Sequence, residues 1–173
     1  MQANPYQAPG TAVGDTPAEY GQIDVFSVAG RLGRVRYIGY SIGITLLGYA
    51  LIAVGVGVGS AFGNPLPAMM IGVTAMVGML VIAVMLTVQR CHDFNMSGWL
   101  ALVSVVPLAP LLFWIVPGTP GANRYGNPPP PNTTGVVVLT LSLSLIFAIG
   151  IVAAVALPAY VAYQKGAQLD QVR

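Results

Sequence analysis

Long stretches without any charged residue constrain the fold of this chain most strongly. No Asp, Glu, Lys, Arg or His occurs within residues 37–89, 94–123 or 125–164. An α-helix needs about 20 apolar residues to cross a hydrocarbon core of about 30 Å. Hydrophobic runs of nearly this length lie at 37–59, 66–88, 98–116 and 135–157. The sequence therefore predicts an all-α integral membrane protein with four hydrophobic helices.

Composition narrows the function classes. Charged residues make up 7% of the chain and hydrophobic residues 55%, whereas soluble domains carry about 25% charged residues. A soluble enzyme is therefore excluded, and a formal charge of +2 does not indicate a nucleic-acid partner. The single Cys91 excludes an internal disulfide, and one His and one Cys are too few for an ordinary zinc site. We expect no metal and no cofactor.

Three regions follow from the order of these segments. Residues 1–24 contain acidic but no basic residues and predict a disordered acidic tail. They lack the basic start and apolar core of a signal peptide. Residues 25–131 predict a membrane domain with three hydrophobic segments, and residues 132–173 a fourth transmembrane helix with a short tail.

The third hydrophobic run is interrupted by Pro107 and Pro110, which break or kink a helix. This run either crosses the membrane with a kink or enters and returns on the same side. With four spans, six basic residues lie inside and only Arg124 outside; with a returning segment, Lys165 and Arg173 move outside and Arg124 inside. The positive-inside rule favours four spans with both termini cytoplasmic.

Basic residues precede the first run. Arg31, Arg34 and Arg36 form a basic collar at the predicted membrane edge, where each basic residue attracts anionic lipid by about 1 kcal/mol. The collar also predicts a cytoplasmic amino terminus.

The loop between the second and third runs is the densest polar segment. Arg90 and Asp93 are three residues apart and are expected to pair if the helix continues. Ser97 is expected to cap the next helix through its hydroxyl, and Trp99 to lie at headgroup level. His92 beside Asp93 also allows an acid–base interpretation, but neighbouring residues on a helix point about 100° apart. Structural pairing is the favoured interpretation.

Three motifs occur in a fixed order: Gly30-Arg31-x-x-Arg34-x-x-Tyr37, Arg90-x-His92-Asp93-x-x-x-Ser97-Gly98-Trp99 and Pro117-Gly118-Thr119-x-Gly121-x-Asn123-Arg124-Tyr125-Gly126. Over residues 24–131 the chain resembles the bacterial inner-membrane family called domain of unknown function 805, the YhaH-like proteins. The resemblance implies a small multi-span membrane protein without an established activity. The chain departs from the family pattern at Val28, Ile38, Gln89, Leu100 and Pro128.

A second resemblance lies near the carboxyl terminus. Residues 148–160, followed by Tyr163, are similar to the amino-terminal helix of type IV pilins, without that family's processing site or early glutamate. This similarity implies contact with pilus-assembly proteins and a carboxyl terminus outside, against the charge tally. The segment is interpreted mainly as a membrane anchor.

We therefore predict a non-enzymatic, multi-pass protein of the bacterial inner membrane that acts through lipid-headgroup or protein contacts. Its expected partners are membrane lipids, further copies of itself or other membrane proteins. The alternatives are a small transporter or channel subunit for an uncharged solute, because broken segments form transporter binding sites, and a membrane enzyme using His92 and Asp93. The predicted contact cluster comprises Arg31, Arg34, Arg36, Tyr37, Arg90, His92, Asp93, Ser97, Trp99, Asn123, Arg124 and Tyr125.

Overall fold

The computed structural model describes residues 19–171, with side chains described up to residue 166. The prediction of a disordered tail falls mostly on residues 1–18, which lie outside this range. The described elements are α1 (Arg34–Ala61), α2 (Leu66–Asp93), a 3₁₀ helix (Gly98–Val105), α3 (Pro110–Ile115) and α4 (Thr134–Gln171). Among these, three helices, α1, α2 and α4, are long and apolar enough to cross a membrane, judged by length and composition.

α1 and α2 form an antiparallel pair joined by a tight turn. Gly63 adopts a positive φ of 60° in this turn. Glycines then allow the two helices to approach closely: Gly48 lies against Met79, and Gly55 lies against Ile71.

α4 packs alongside α1 in the same direction. The Thr140 hydroxyl donates a hydrogen bond of 3.2 Å to the Val35 carbonyl, and a Cβ at Gly39 would overlap that hydroxyl. One turn further, Leu143 lies opposite Gly43. The start of α1, the end of α2 and the start of α4 therefore share one end of the bundle, which we call the polar end.

The third hydrophobic run does not form a long helix, so the predicted fourth span is not confirmed. It consists of an eight-residue 3₁₀ helix and the six-residue α3. Between them Leu108 adopts a φ of 67°, a left-handed conformation that interrupts a right-handed helix. Pro107 and Pro110 flank Leu108, and neither can donate a backbone hydrogen bond.

Both ends of this run lie beside the last turn of α2. At its start, Gly98 packs against Val88 and His92. Beyond its end, the Thr119 amide donates to the Asp93 carbonyl at 2.8 Å. Residues 98–116, which we call the hairpin, therefore leave the polar end and come back to it, and this is the returning arrangement that the sequence left open.

The path of the hairpin changes the predicted topology. Among the described basic residues, only Lys165 lies toward the far end; the others, at the polar end, are Arg31, Arg34, Arg36, Arg90 and Arg124. The preference for four spans with both termini on one side is therefore not confirmed, because that tally assumed a crossing third run.

This topology predicts opposite labelling of two positions. In a Cys91→Ser background, Arg124→Cys and Lys165→Cys should react with a membrane-impermeant thiol reagent from opposite sides of the membrane. Both native side chains are exposed. Native Cys91 is fully buried and should stay unlabelled until the protein is denatured. Labelling of both new cysteines from the same side would contradict the returning hairpin.

A pair of glycine substitutions tests the packing of α4 on α1. Gly39→Leu should destabilise the protein by about 1–3 kcal/mol, because overpacking forces the helices apart. Gly57→Leu on the same helix is the matched control, since a Cβ at Gly57 meets no atom within 4 Å. Thermal unfolding in detergent measures both effects, and equal losses would show that the contact at Gly39 does not hold α4.

Candidate functional site

Four segments meet at the polar end: residues 19–33, the last turn of α2, the end of the hairpin and residues 117–131. Arg31, Arg90 and Asp93 are buried where these segments converge, with 2%, 0% and 3% of their surfaces exposed. We call these three residues and Thr119 the polar cluster. Buried charges are costly unless they are paired and hydrogen-bonded, so the partners of these groups determine what the cluster can do.

Asp93 lies between the two arginines. Arg31 donates to one carboxylate oxygen, Oδ1, through Nε at 3.3 Å and Nη2 at 3.2 Å. Arg90 donates to the other oxygen, Oδ2, through Nη1. Continuation of α2 to Asp93 brings Arg90 and Asp93 onto one helix face, which confirms the predicted pair.

The cluster holds two positive charges against one negative charge, and backbone carbonyls offset the difference. Arg31 donates to the carbonyls of Thr119 and Gly121, each at 2.6 Å. Arg90 donates to the Phe113 carbonyl at 2.8 Å and also to that of Val116. The negative end of the α2 dipole adds to this stabilisation. Arg90 thereby fastens the end of the hairpin to α2, and Arg31 fastens the loop after the hairpin to the segment that precedes α1.

Thr119 links several of these groups, although sequence reasoning did not select it as a site residue. Its hydroxyl donates to the Asp93 carbonyl at 2.9 Å and accepts from Asn123 Nδ2 at 2.9 Å. Asn123 Nδ2 also donates to the His92 carbonyl at 2.8 Å. Gly118 beside it has no room for a side chain, because a Cβ there would overlap the Asp93 carboxylate. The available sequence signal was the third motif, which contains both Gly118 and Thr119.

His92 and Asp93 do not act on each other. His92 Nδ1 lies 3.2 Å from the Gly30 carbonyl, and its ring stacks on Tyr125 with centroids 3.8 Å apart and planes at 9°. Asp93 is bonded to the two arginines on a different side of the helix. The pair is therefore not arranged as an acid–base dyad.

Gln89 shows how a departure from the family pattern is accommodated. Its side-chain amide is 1% exposed and donates to the Asp24 carbonyl at 2.7 Å and to that of Ser27. Nearby, the Gly21 amide donates to the Pro128 carbonyl at 3.0 Å. Residues 19–24, which the sequence assigned to the tail, thus contact the polar end.

The other two collar residues, Arg34 and Arg36, and the neighbouring Tyr37 have different environments. Arg36 is buried and donates to the carbonyls of Pro130 and, at 2.9 Å, Pro131. Tyr37 is buried, and its hydroxyl lies 3.2 Å from that of Thr87. Arg34 is exposed and donates to the Ile115 carbonyl at 3.2 Å. The structure therefore leaves only Arg34 of the collar accessible from outside.

Three further predicted residues lie at the surface. Trp99 is 80% exposed, and Arg124 is exposed while donating to the Asn95 carbonyl at 2.9 Å. Ser97 occupies the N-cap position of the 3₁₀ helix but makes no capping hydrogen bond through its side chain. The predicted Ser97 hydroxyl cap is therefore wrong; the backbone carbonyl of Ser97 accepts from Leu100 instead.

The described residues contain no group of three or more His, Cys, Asp or Glu side chains that could hold a metal ion. The polar end presents outward the guanidinium groups of Arg34 and Arg124, the indole of Trp99 and the carboxylates of Glu19 and Asp24.

These features define a helical multi-span membrane protein in which a broken hydrophobic hairpin is held by a buried Arg–Asp–Arg cluster. The chain belongs to the family described as "Protein of unknown function (DUF805)", whose profile matches residues 25–127. It is 46% identical to "Inner membrane protein YhaI" of Escherichia coli K12 over 48 residues, 25% of this chain and 41% of that protein. The protein of the same name from Escherichia coli O157:H7 gives the same figures. The matched stretch thus spans about two fifths of these relatives, and no solved structure matches the chain.

Replacing Asp93 tests the structural role of the cluster. Asp93→Asn keeps the shape but leaves two buried guanidinium groups without a counter-charge, so the free energy of unfolding should fall by about 3–5 kcal/mol. Asp24→Asn is the matched control, because it removes the same formal charge from an exposed position and should change stability by less than about 0.5 kcal/mol. Denaturant titration in detergent measures both, and a small effect at Asp93 would contradict the role assigned to the cluster.

Proposed function

We propose that this protein is a non-enzymatic, multi-pass protein of the inner membrane that binds anionic lipid headgroups at its polar end. One observation carries the proposal: the buried ionic groups of the polar end pair with one another and with carbonyls, whereas Arg34 and Arg124 remain exposed. A guanidinium has five N–H donors, so one bond to a carbonyl leaves several for a lipid phosphate. Guanidinium groups match phosphate geometry well.

A groove beside Arg124 supports the binding of a whole lipid rather than a free anion. The groove has a volume of about 380 Å³ and runs between α2 and the 3₁₀ helix. Val84, Val88 and Leu102 form its apolar part, which suits an acyl chain. The more polar part of the groove is lined by His92, Tyr125 and Trp99. The Arg124 guanidinium lies 4.8 Å above the Tyr125 ring. Aromatic rings of this kind favour the headgroup region.

The distribution of charge supports an orientation. Five of the described basic residues lie at the polar end and Lys165 toward the other, so the positive-inside rule favours a cytoplasmic polar end. The similarity to Inner membrane protein YhaI supports an inner-membrane location. In this arrangement the polar end faces the leaflet surface where anionic lipids create a negative potential.

A non-catalytic role is supported by the state of the groups that could perform chemistry. The His92 ring stacks on Tyr125, and the Asp93 carboxylate accepts from two arginines.

Contacts with other copies of the chain or with pilus-assembly proteins remain predictions; α4 offers them an exposed apolar surface along Ile149, Val152 and Val155.

Neutral substitutions at the exposed arginines test the proposal. The double variant Arg34→Gln/Arg124→Gln should lose about thirtyfold in affinity for anionic phospholipid in nanodiscs or liposomes, because each of the two exposed cations contributes about 1 kcal/mol. The loss should shrink as ionic strength rises. Native mass spectrometry of bound lipid, or fluorescence with labelled phosphatidylglycerol, measures the change.

Lys165→Gln provides the matched control for this test. It removes one exposed positive charge near the opposite end of α4 and should leave lipid capture by the polar end unchanged. An unaltered affinity in the double variant, or an equal loss for zwitterionic lipid, would overturn the proposal.

A further inference from the structure

One ring nitrogen of His92 is left without a partner at the groove beside Arg124. His92 lines this groove, as does Gly98. A Cβ at Gly98 would lie 3.3 Å from His92 Nε2, so Nε2 faces the space that the glycine leaves. In the described part of the chain only Nδ1 of the ring makes a hydrogen bond. The one occluded side-chain nitrogen or oxygen without a partner there is Ser104 Oγ, so the unpartnered Nε2 is accessible.

The contact of the other ring nitrogen determines the chemistry of Nε2. Nδ1 lies 3.2 Å from the Gly30 carbonyl oxygen, which can only accept, so Nδ1 carries the proton. In the uncharged imidazole, which predominates above about pH 7, the second nitrogen is then an acceptor. Stacking on Tyr125, with ring centroids 3.8 Å apart, holds the imidazole in this orientation. The groove therefore presents a fixed acceptor to a hydrogen-bond donor from outside.

The neighbouring charge determines which donor fits this acceptor. The exposed Arg124 guanidinium lies 4.8 Å from the centroid of the Tyr125 ring, the ring on which His92 stacks. An ammonium group at Nε2 would be repelled by this guanidinium, whereas a neutral hydroxyl would not. A phosphate in the same ligand can accept from Arg124. The complementary ligand is therefore an anion that carries a neutral donor a few bonds from its phosphate.

A phosphodiester lipid with a hydroxylated headgroup has this combination of groups. We infer that the groove selects phosphatidylglycerol-type headgroups, with the phosphate at Arg124 and a glycerol hydroxyl donating to His92 Nε2. The inference rests on the proposed lipid binding and adds a choice among anionic lipids. In this arrangement the two arginines supply affinity for any anionic lipid, and His92 determines specificity.

Phosphatidylmethanol provides the matched ligand for a test. It has the same phosphodiester charge as phosphatidylglycerol and can carry the same acyl chains, but its headgroup has no hydroxyl. Native mass spectrometry of the full chain in detergent measures the affinity for each lipid. The wild-type protein should bind phosphatidylglycerol about two- to tenfold more tightly, the range that one neutral hydrogen bond supports.

Two substitutions of His92 separate the acceptor from the rest of the ring. The side-chain amide in His92→Asn can still donate to the Gly30 carbonyl, and His92→Phe keeps a ring on Tyr125, but neither has an acceptor at the place of Nε2. In both variants the ratio of the two affinities should fall to about one. Gln22→Ala is the matched control, because it removes an exposed polar side chain that does not line the groove, and it should retain the wild-type ratio.

The arginine double variant distinguishes headgroup selection from lipid binding itself. Arg34→Gln/Arg124→Gln should weaken the binding of both lipids alike, because both carry the phosphate, and should keep their ratio. If the wild-type protein binds neither lipid, the lipid-binding proposal and this inference both fail.

Three results would overturn the headgroup selection alone. Equal wild-type affinities for the two lipids would show that no headgroup hydroxyl is read. A ratio that persists in both His92 variants would show that another group reads it. Tighter binding of phosphatidylethanolamine than of phosphatidylglycerol would show that the acceptor takes an ammonium donor. The two wild-type comparisons decide the matter even where a histidine variant does not fold.

Discussion

The position of one carboxylate between two guanidinium groups determines the arrangement of the polar end. Asp93 accepts from Arg31 and Arg90, and both arginines extend to carbonyls of the hairpin and of the loop after it. A buried ion pair is weak evidence for stability by itself, because desolvation opposes the Coulomb attraction. Here its effect is geometric, since the three charges and their carbonyl partners join segments that are distant in sequence.

That arrangement allows the hairpin to remain short and irregular inside an apolar bundle. The carbonyls of Phe113 and Val116, at the end of α3, accept from Arg90, so the end of the helix does not expose unpaired acceptors. Because both ends of the hairpin are tied to the last turn of α2, its middle part is free to turn at Leu108.

The sequence predicted those features that depend on length or on local spacing. Three of the four hydrophobic runs became long helices, and the spacing of Arg90 and Asp93 predicted their contact. The path of the third run could not be predicted, because hydropathy records how apolar a segment is and not whether it turns back. The Arg31–Asp93 pair joins residues 62 positions apart, and no periodic pattern connects them. For the same reason Arg31 and Arg36 looked like surface residues, although carbonyls of residues 119–131 cover them.

The order of the chain imposes a sequence on assembly during synthesis. Arg90 and Asp93 lie on the same helix turn and can neutralise each other as soon as α2 has formed. Arg31 is synthesised before both of them, yet its carbonyl acceptors at Thr119 and Gly121 leave the ribosome about 90 residues after it. The nascent protein must therefore hold an incompletely satisfied guanidinium near the membrane surface until the hairpin has inserted. Closure of the polar end therefore requires both the first two helices and the hairpin to be in place.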